Sequence, residues 1–280
     1  MVSDSSASPP VTAPASPHLA EDPHRQVRLK SDNGILLLQL PPEVETDVGP
    51  LSWAELLQQL KHRLDAGERF WQARTVVHLE AQDRLLDIRQ LQTLADLLTD
   101  SQLLLQRVVT SRRQTAIAAV SAGYSVNQLV DIDHLVQSPQ PVGQPLAEPL
   151  YLQTTVRSGV EIRHPGTIVI LGDANPGSAL VAEGDILVWG RLRGTAHAGS
   201  AGNREGRIMA LQMQATQLRI ADLVARPPDA PPSEYLPEVA YIGERSGGEQ
   251  VGEQAIRIAL AQDFARNHLA PPLGLGIEVD

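Results

Sequence analysis

Two histidines, His164 and His197, lie in the glycine-rich half of this 280-residue chain and are its candidates for general-base chemistry. Such a base needs a carboxylate or a similar acceptor to orient its ring, and neither histidine has a carboxylate at an informative spacing. The other six histidines are scattered from His18 to His268 without the spacing of metal ligands. The chain has no cysteine, which removes disulfides, thiol catalysis and cysteine-ligated zinc, and which suits a reducing compartment. No phosphate-cradling glycine loop and no nucleophile elbow occurs. The expectation is therefore a protein that binds rather than catalyses, with no cofactor and no metal.

The elements that must position any site read differently in the two halves. From Leu150 the chain repeats in sixes: Leu150, Val156, Ile162, Ile168, Ala174, Leu180, Ile186, Leu192 and Ala198 are all apolar. Four residues after each stands mostly a small residue, among them Gly166, Gly172, Gly184, Gly190 and Gly202. One inward apolar residue and one small corner residue per hexad describe a solenoid of triangular section, three hexads to a turn. His164 to Gly172 also aligns with Ala182 to Gly190, and Gly159 aligns with Gly177 at the same offset. The next copy, Gly206 to Leu211, arrives late, which places an insertion near Gly199–Asn203. Flat solenoid faces suit self-association, so a homodimer through this part is expected.

The first half alternates strands and helices. Gln26–Lys30 and Ile35–Leu40 flank Asn33-Gly34, a hairpin signal. Ser52 with Glu55 forms a capping box for a helix whose apolar face is Trp53, Leu56, Leu57, Leu60 and Leu64. Asp87 caps a second helix bearing Ile88, Leu91, Leu94, Ala95 and Leu98. Ser111 with Gln114 caps a third, which ends at Gly123. With strands at Thr75–Leu79 and Leu103–Val109 the order is ββαβαβα. The expected organisation is a disordered tail at 1–24, a small α/β domain at 25–130 and a Pro-rich linker at 131–149. An all-β solenoid follows at 150–225 and an acidic extension at 226–280, in which Ala255–Phe264 reads as a strand or a short helix, a strand pairing with the body being preferred.

The net charge of −10 falls on the tail, the linker and the extension, and leaves both folded halves near neutral. Without a basic stripe, nucleic acid is not expected as a partner. The N-terminus lacks the apolar core of a signal peptide, and no apolar run is long enough to span a bilayer. A cytoplasmic protein is expected.

Val156-Arg-Ser-Gly159, Leu171 to Gly177, Glu183 to Gly194, Ala198-Gly199 and Thr216 to Ala221 together resemble the C-terminal domain of the MinC family of septum site-determining proteins. Pro237 to Ile242 resembles the tail of some members. The period does not choose the hand of the solenoid; the resemblance implies a right-handed parallel β-helix that dimerises. It also implies binding to MinD, a membrane-associated ATPase that would bring the protein to the inner membrane surface only indirectly. In that family an Arg-Ser-Gly-Gln motif carries much of the contact; here Arg157, Ser158 and Gly159 match and Val160 replaces the Gln. Gly177, one repeat on, joins them as a candidate, and for Gly159 and Gly177 a purely structural corner role has equal weight. The resemblance further implies that the N-terminal domain antagonises FtsZ polymers, so that the protein blocks division-ring assembly at wrong sites. Lys61 and Arg63, on the polar side of the first helix, are the candidates for that contact. The alternative is a left-handed hexapeptide acyltransferase using His164 or His197.

Overall fold

The computed structural model describes residues 26–43, 51–67, 71–129, 146–226, 236–244 and 254–268. The expected disordered tail lies outside them, as does the expected linker up to residue 145.

The N-terminal half opens with β1 (Arg28–Asp32) and β2 (Ile35–Gln39), paired antiparallel. Asn33 and Gly34 both take positive φ, 48° and 84°, the turn geometry whose twist matches the flanking strands. Ser52 and Glu55 bond reciprocally ahead of α1 (Trp53–Gly67), as the capping box requires. Then come β3 (Thr75–Gln82), α2 (Ile88–Asp100) with Asp87 as its expected cap and Gln90 completing a box, β4 (Leu103–Thr110), α3 (Arg113–Ala122) and β5 (Ser125–Gln128). The strands β2 to β5 lie side by side and parallel. Leu56, Leu60 and Leu64 of α1, with Leu91, Leu94 and Leu98 of α2, share one apolar core with Leu38, Leu79 and Val108 of the strands.

Two local expectations are corrected. Ser111 does not cap α3: its hydroxyl donates to the Gln82 carbonyl at the end of β3, and Arg112 stands at the N-cap with no side-chain bond. β5 was not foreseen, because Ser125–Gln128 is too short to show a period. Gly123 does close α3, at φ 93°.

From Ala147 the chain turns to short strands: β6 (Ala147–Leu152), β7 (Glu161–His164), β8 (Gly166–Ile170), β9 (Ala179–Ala182), β10 (Ile186–Leu192), β11 (Thr195–Ala198), β12 (Ile208–Met213), β13 (Gln217–Ile220) and β14 (Leu223–Ala225). β6 thus begins within the last residues of the segment read as a linker. Parallel pairing stacks Leu150, Ile168, Ile186 and Ile208 along one ladder, and Ile162, Leu180, Ala196 and Leu218 along another. Isolated parallel bridges join Val156, Ala174 and Leu192 on a third side. All nine residues of the hexad are buried.

The step between rungs is mostly 18 residues, as in the Asp173–Arg191 contact, and grows to 22 between Asp185 and Arg207. The hexad slips once. Ala196, not Ala198, pairs with Leu180, because the chain from Leu192 to β11 is shorter than its predecessors. The longer corner after Ala198 absorbs the difference, with Gly199 and Gly202 in left-handed backbone at φ 60° and 102°. At other corners glycine is required by space: a Cβ on Gly190 would lie 2.3 Å from the Gly172 carbonyl oxygen.

The acidic extension supplies β15 (Glu238–Glu244), antiparallel to β12, and β16 (Gln254–Leu260), antiparallel to β15. The strand expected at Ala255–Phe264 holds to Leu260, and α4 (Ala261–His268) follows. Phe264 of α4 is buried, with Tyr241 and His268 against its ring. The molecule is strand-rich, with a mixed ten-stranded sheet ordered β1-β2-β3-β4-β5-β7-β9-β11-β13-β14 and a six-stranded one ordered β16-β15-β12-β10-β8-β6. The ten-stranded sheet crosses from the N-terminal half to the C-terminal half where β5 pairs with β7.

Candidate functional site

Arg157, Ser158 and Gly159 form a turn between Val156 on the third side and β7. The turn is closed by Val160 N–H donating to the Arg157 carbonyl, 3.2 Å, and is stacked on the next rung by Gly159 N–H donating to the Gly177 carbonyl, 2.9 Å. Gly159 and Gly177 adopt nearly the same left-handed φ, 83° and 79°, which only glycine takes without strain. The three turn residues and Gly177 are exposed. Ser158 leans over the lower turn, its Oγ 2.6 Å from where a Cβ on Gly177 would stand. Val160, in place of the Gln of the resembled motif, is buried, so the exposed turn ends at Gly159.

Around this turn the repeat arranges charge. Arg191 chelates Asp173 one rung below it through Nε and Nη2, at 2.9 and 2.7 Å. The Arg191 backbone N–H also donates to Asp173, and with the guanidinium it holds that carboxyl below the usual carboxylate range. Arg193 reaches Asn175 at 2.6 Å. Arg157 has no ion-pair partner among the described residues, so its guanidinium is available to an acidic group of a partner. These pairings were missed in the sequence, although the 18-residue step that stacks Asp173 on Arg191 is legible there.

Lys61 and Arg63 fall elsewhere. Lys61 is exposed on α1. Arg63 bends back to donate to Gln26 Oε1 at 2.9 Å and lines a cavity of about 560 Å³ with Leu29, Leu36, Ala66 and Trp71. The structure does not bring them together with the Arg157 turn.

Among the described residues neither candidate base has a carboxylate partner. His164 is buried at the first corner, with Nε2 2.9 Å from the Glu148 carbonyl oxygen and Nδ1 unpaired. Burial lowers its pKa, and the nearby Arg113 adds to the effect. The His197 Nε2 lies 2.9 Å from the Ala221 carbonyl oxygen; burial lowers its pKa too, helped by Arg219 and Arg163. Among the described residues no group of His, Asp and Glu could hold a metal ion, and no helix is long and apolar enough to cross a membrane.

Residues 150–250 match the family model described as septum formation inhibitor MinC, C-terminal domain. The probable septum site-determining protein MinC of Nostoc sp. is 54% identical over 245 residues, covering 88% of this chain and 64% of that one. The chain thus spans just under two thirds of that relative's length. The same-named protein of Gloeobacter violaceus is 52% identical over 216 residues, covering 77% of this chain and 74% of its own. That of Synechocystis sp. is 41% identical over 256 residues, covering 89% and 98%. A chain of the MinC:MinD cell division protein complex of Aquifex aeolicus is 36% identical at a TM-score of 0.35, covering 41% of this chain and 87% of that one.

Proposed function

The chain belongs to the MinC family of septum site-determining proteins, and from that membership we propose that it inhibits cell division by binding, not by catalysis. MinD recruits it to the membrane surface, where its N-terminal part, residues 25–130, acts on FtsZ polymers and blocks ring assembly at wrong sites. The protein is otherwise cytoplasmic. The observation that carries the reading is the exposed Arg157-Ser158-Gly159 turn, which offers a guanidinium with no ion-pair partner among the described residues beside glycine backbone that a partner can approach closely.

The part from 150 to 225 is a right-handed parallel β-helix of triangular section. The three columns of parallel rungs support this, since each is apolar inside and each turn spends three short segments. It dimerises through the outward face of β6, β8 and β10. Tyr151, Val169, Leu187 and Met209 form one row across that face, and Leu171 and Trp189 follow two residues on. Trp189 is 67% exposed, the largest exposure among the described large apolar residues. An apolar strip of this kind costs solubility unless a second copy covers it. Dimerisation would double the inhibitory parts held at one place on the membrane, an effect of effective concentration.

The test is recruitment to lipid vesicles carrying MinD and ATP, with FtsZ pelleting in parallel. Arg157→Ala should abolish recruitment and leave the dimer intact. Full recruitment of the variant would overturn the assignment of the turn.

A further inference from the structure

The pairing of β5 with β7 joins two edges that would each be open alone. An open parallel edge presents a row of unpaired N–H and C=O groups, and proteins cover or blunt such rows. Here Val126 pairs with Ile162 and Asn127 with Arg163. Val126 and Ile162 are buried in one apolar core that runs through the seam. Glu161 sits at its centre. Its backbone N–H donates to Ser125 Oγ at 3.0 Å, and its carboxylate accepts from Arg107 of β4 at 3.0 Å and also from Arg163. Arg113 of α3 reaches Glu148 of β6 at 3.2 Å, and the end of the Arg157 side chain approaches Gly123, the cap of α3.

We propose that the N-terminal half docks edge-on onto the first rung of the solenoid as a closed state, latched by the Glu161 carboxylate between Arg107 and Arg163. The occupant of the solenoid edge is the chain's own N-terminal half. Without Glu161 the two guanidiniums would face each other across the seam with no anion between them, and like charges repel. With it, a short ladder and one half-buried ion pair suffice, because the covalent connection from Leu129 to Leu146 holds the edges at an effective concentration on the order of millimolar. Closure fixes α3 beside the Arg157 turn. A partner arriving at that turn therefore meets the N-terminal half in a set orientation.

The absence of cysteine makes a disulfide trap clean. Residues paired across a ladder have Cα atoms within disulfide reach, so Asn127→Cys with Arg163→Cys should cross-link within one chain under mild oxidation. Asn127→Cys with Arg219→Cys is the control. Arg219 lies in the same outward row four strands away, roughly 19 Å at the usual strand spacing. The trap should outpace the control by roughly tenfold or more. Because the trap replaces Arg163, these arms read the Arg107–Glu161 half of the latch: adding Glu161→Arg should abolish that advantage, and adding Arg107→Glu to it should restore cross-linking. A trap no faster than the control, or one that links only separate copies, would overturn the closed state. Unchanged trapping in Glu161→Arg, with the far-UV spectrum retained, would overturn the latch.

Discussion

The backbone N–H of Gly159 donates to the carbonyl of Gly177 at 2.9 Å, so the turn read as a binding motif is also a rung of the repeat. Both roles come from the same left-handed glycines, and substitution separates them. Gly159→Ala meets open space and should cost only the backbone strain, about 1–2 kcal/mol. Gly177→Ala carries similar strain and also pushes Ser158 aside, so it should weaken MinD recruitment beyond its effect on stability. Gly190→Ala drives a Cβ against the backbone of Gly172 and should cost the most, about 3 kcal/mol. Thermal melts of the three variants beside vesicle recruitment check the order.

Trp189→Arg should dissociate the proposed dimer without unfolding the chain, because the indole is exposed and only a partner copy would miss it. Sedimentation velocity of the variant should show the mass of one chain. A variant that stays dimeric would place the dimer contact on another face.

Acid should destabilise the fold. Burial lowers the pKa of His164, His197 and His78 below the ordinary 6.5, so the unfolded chain takes up protons before the folded one. Their contribution is complete above about pH 6.5 and is lost as pH falls below it. His164 should dominate: protonated, it would carry a buried charge facing Arg113, with Glu148 offering only its backbone oxygen to the ring. His164→Gln should flatten the fall in melting temperature between about pH 7 and about pH 5.

Lys61 and Arg63 should part company. Lys61→Ala should weaken the effect on FtsZ pelleting at unchanged melting temperature, since Lys61 is exposed on α1. Arg63→Ala also loses the bond to Gln26 and the packing of its stem along the cavity wall, so it should cost about 1 kcal/mol of stability as well.

Much of this protein follows from local physical chemistry. The hexad from Leu150 to Ala198 fixed which residues are buried, because an apolar residue every sixth place can be satisfied only by stacking. Asn33-Gly34, the Ser52–Glu55 box and the Asp87 cap fixed element boundaries, because each satisfies backbone groups within a few residues. The tertiary structure decided the rest. A period in sequence carries no record of the slip at Ala196, which depends on how the longer corner at Gly199 closes. The short strand Ser125–Gln128 acquires its identity only from its neighbours on either side. The meeting of Arg107, Glu161 and Arg163 across the seam is likewise invisible along the chain, since charges far apart in sequence become partners only when two sheet edges pair.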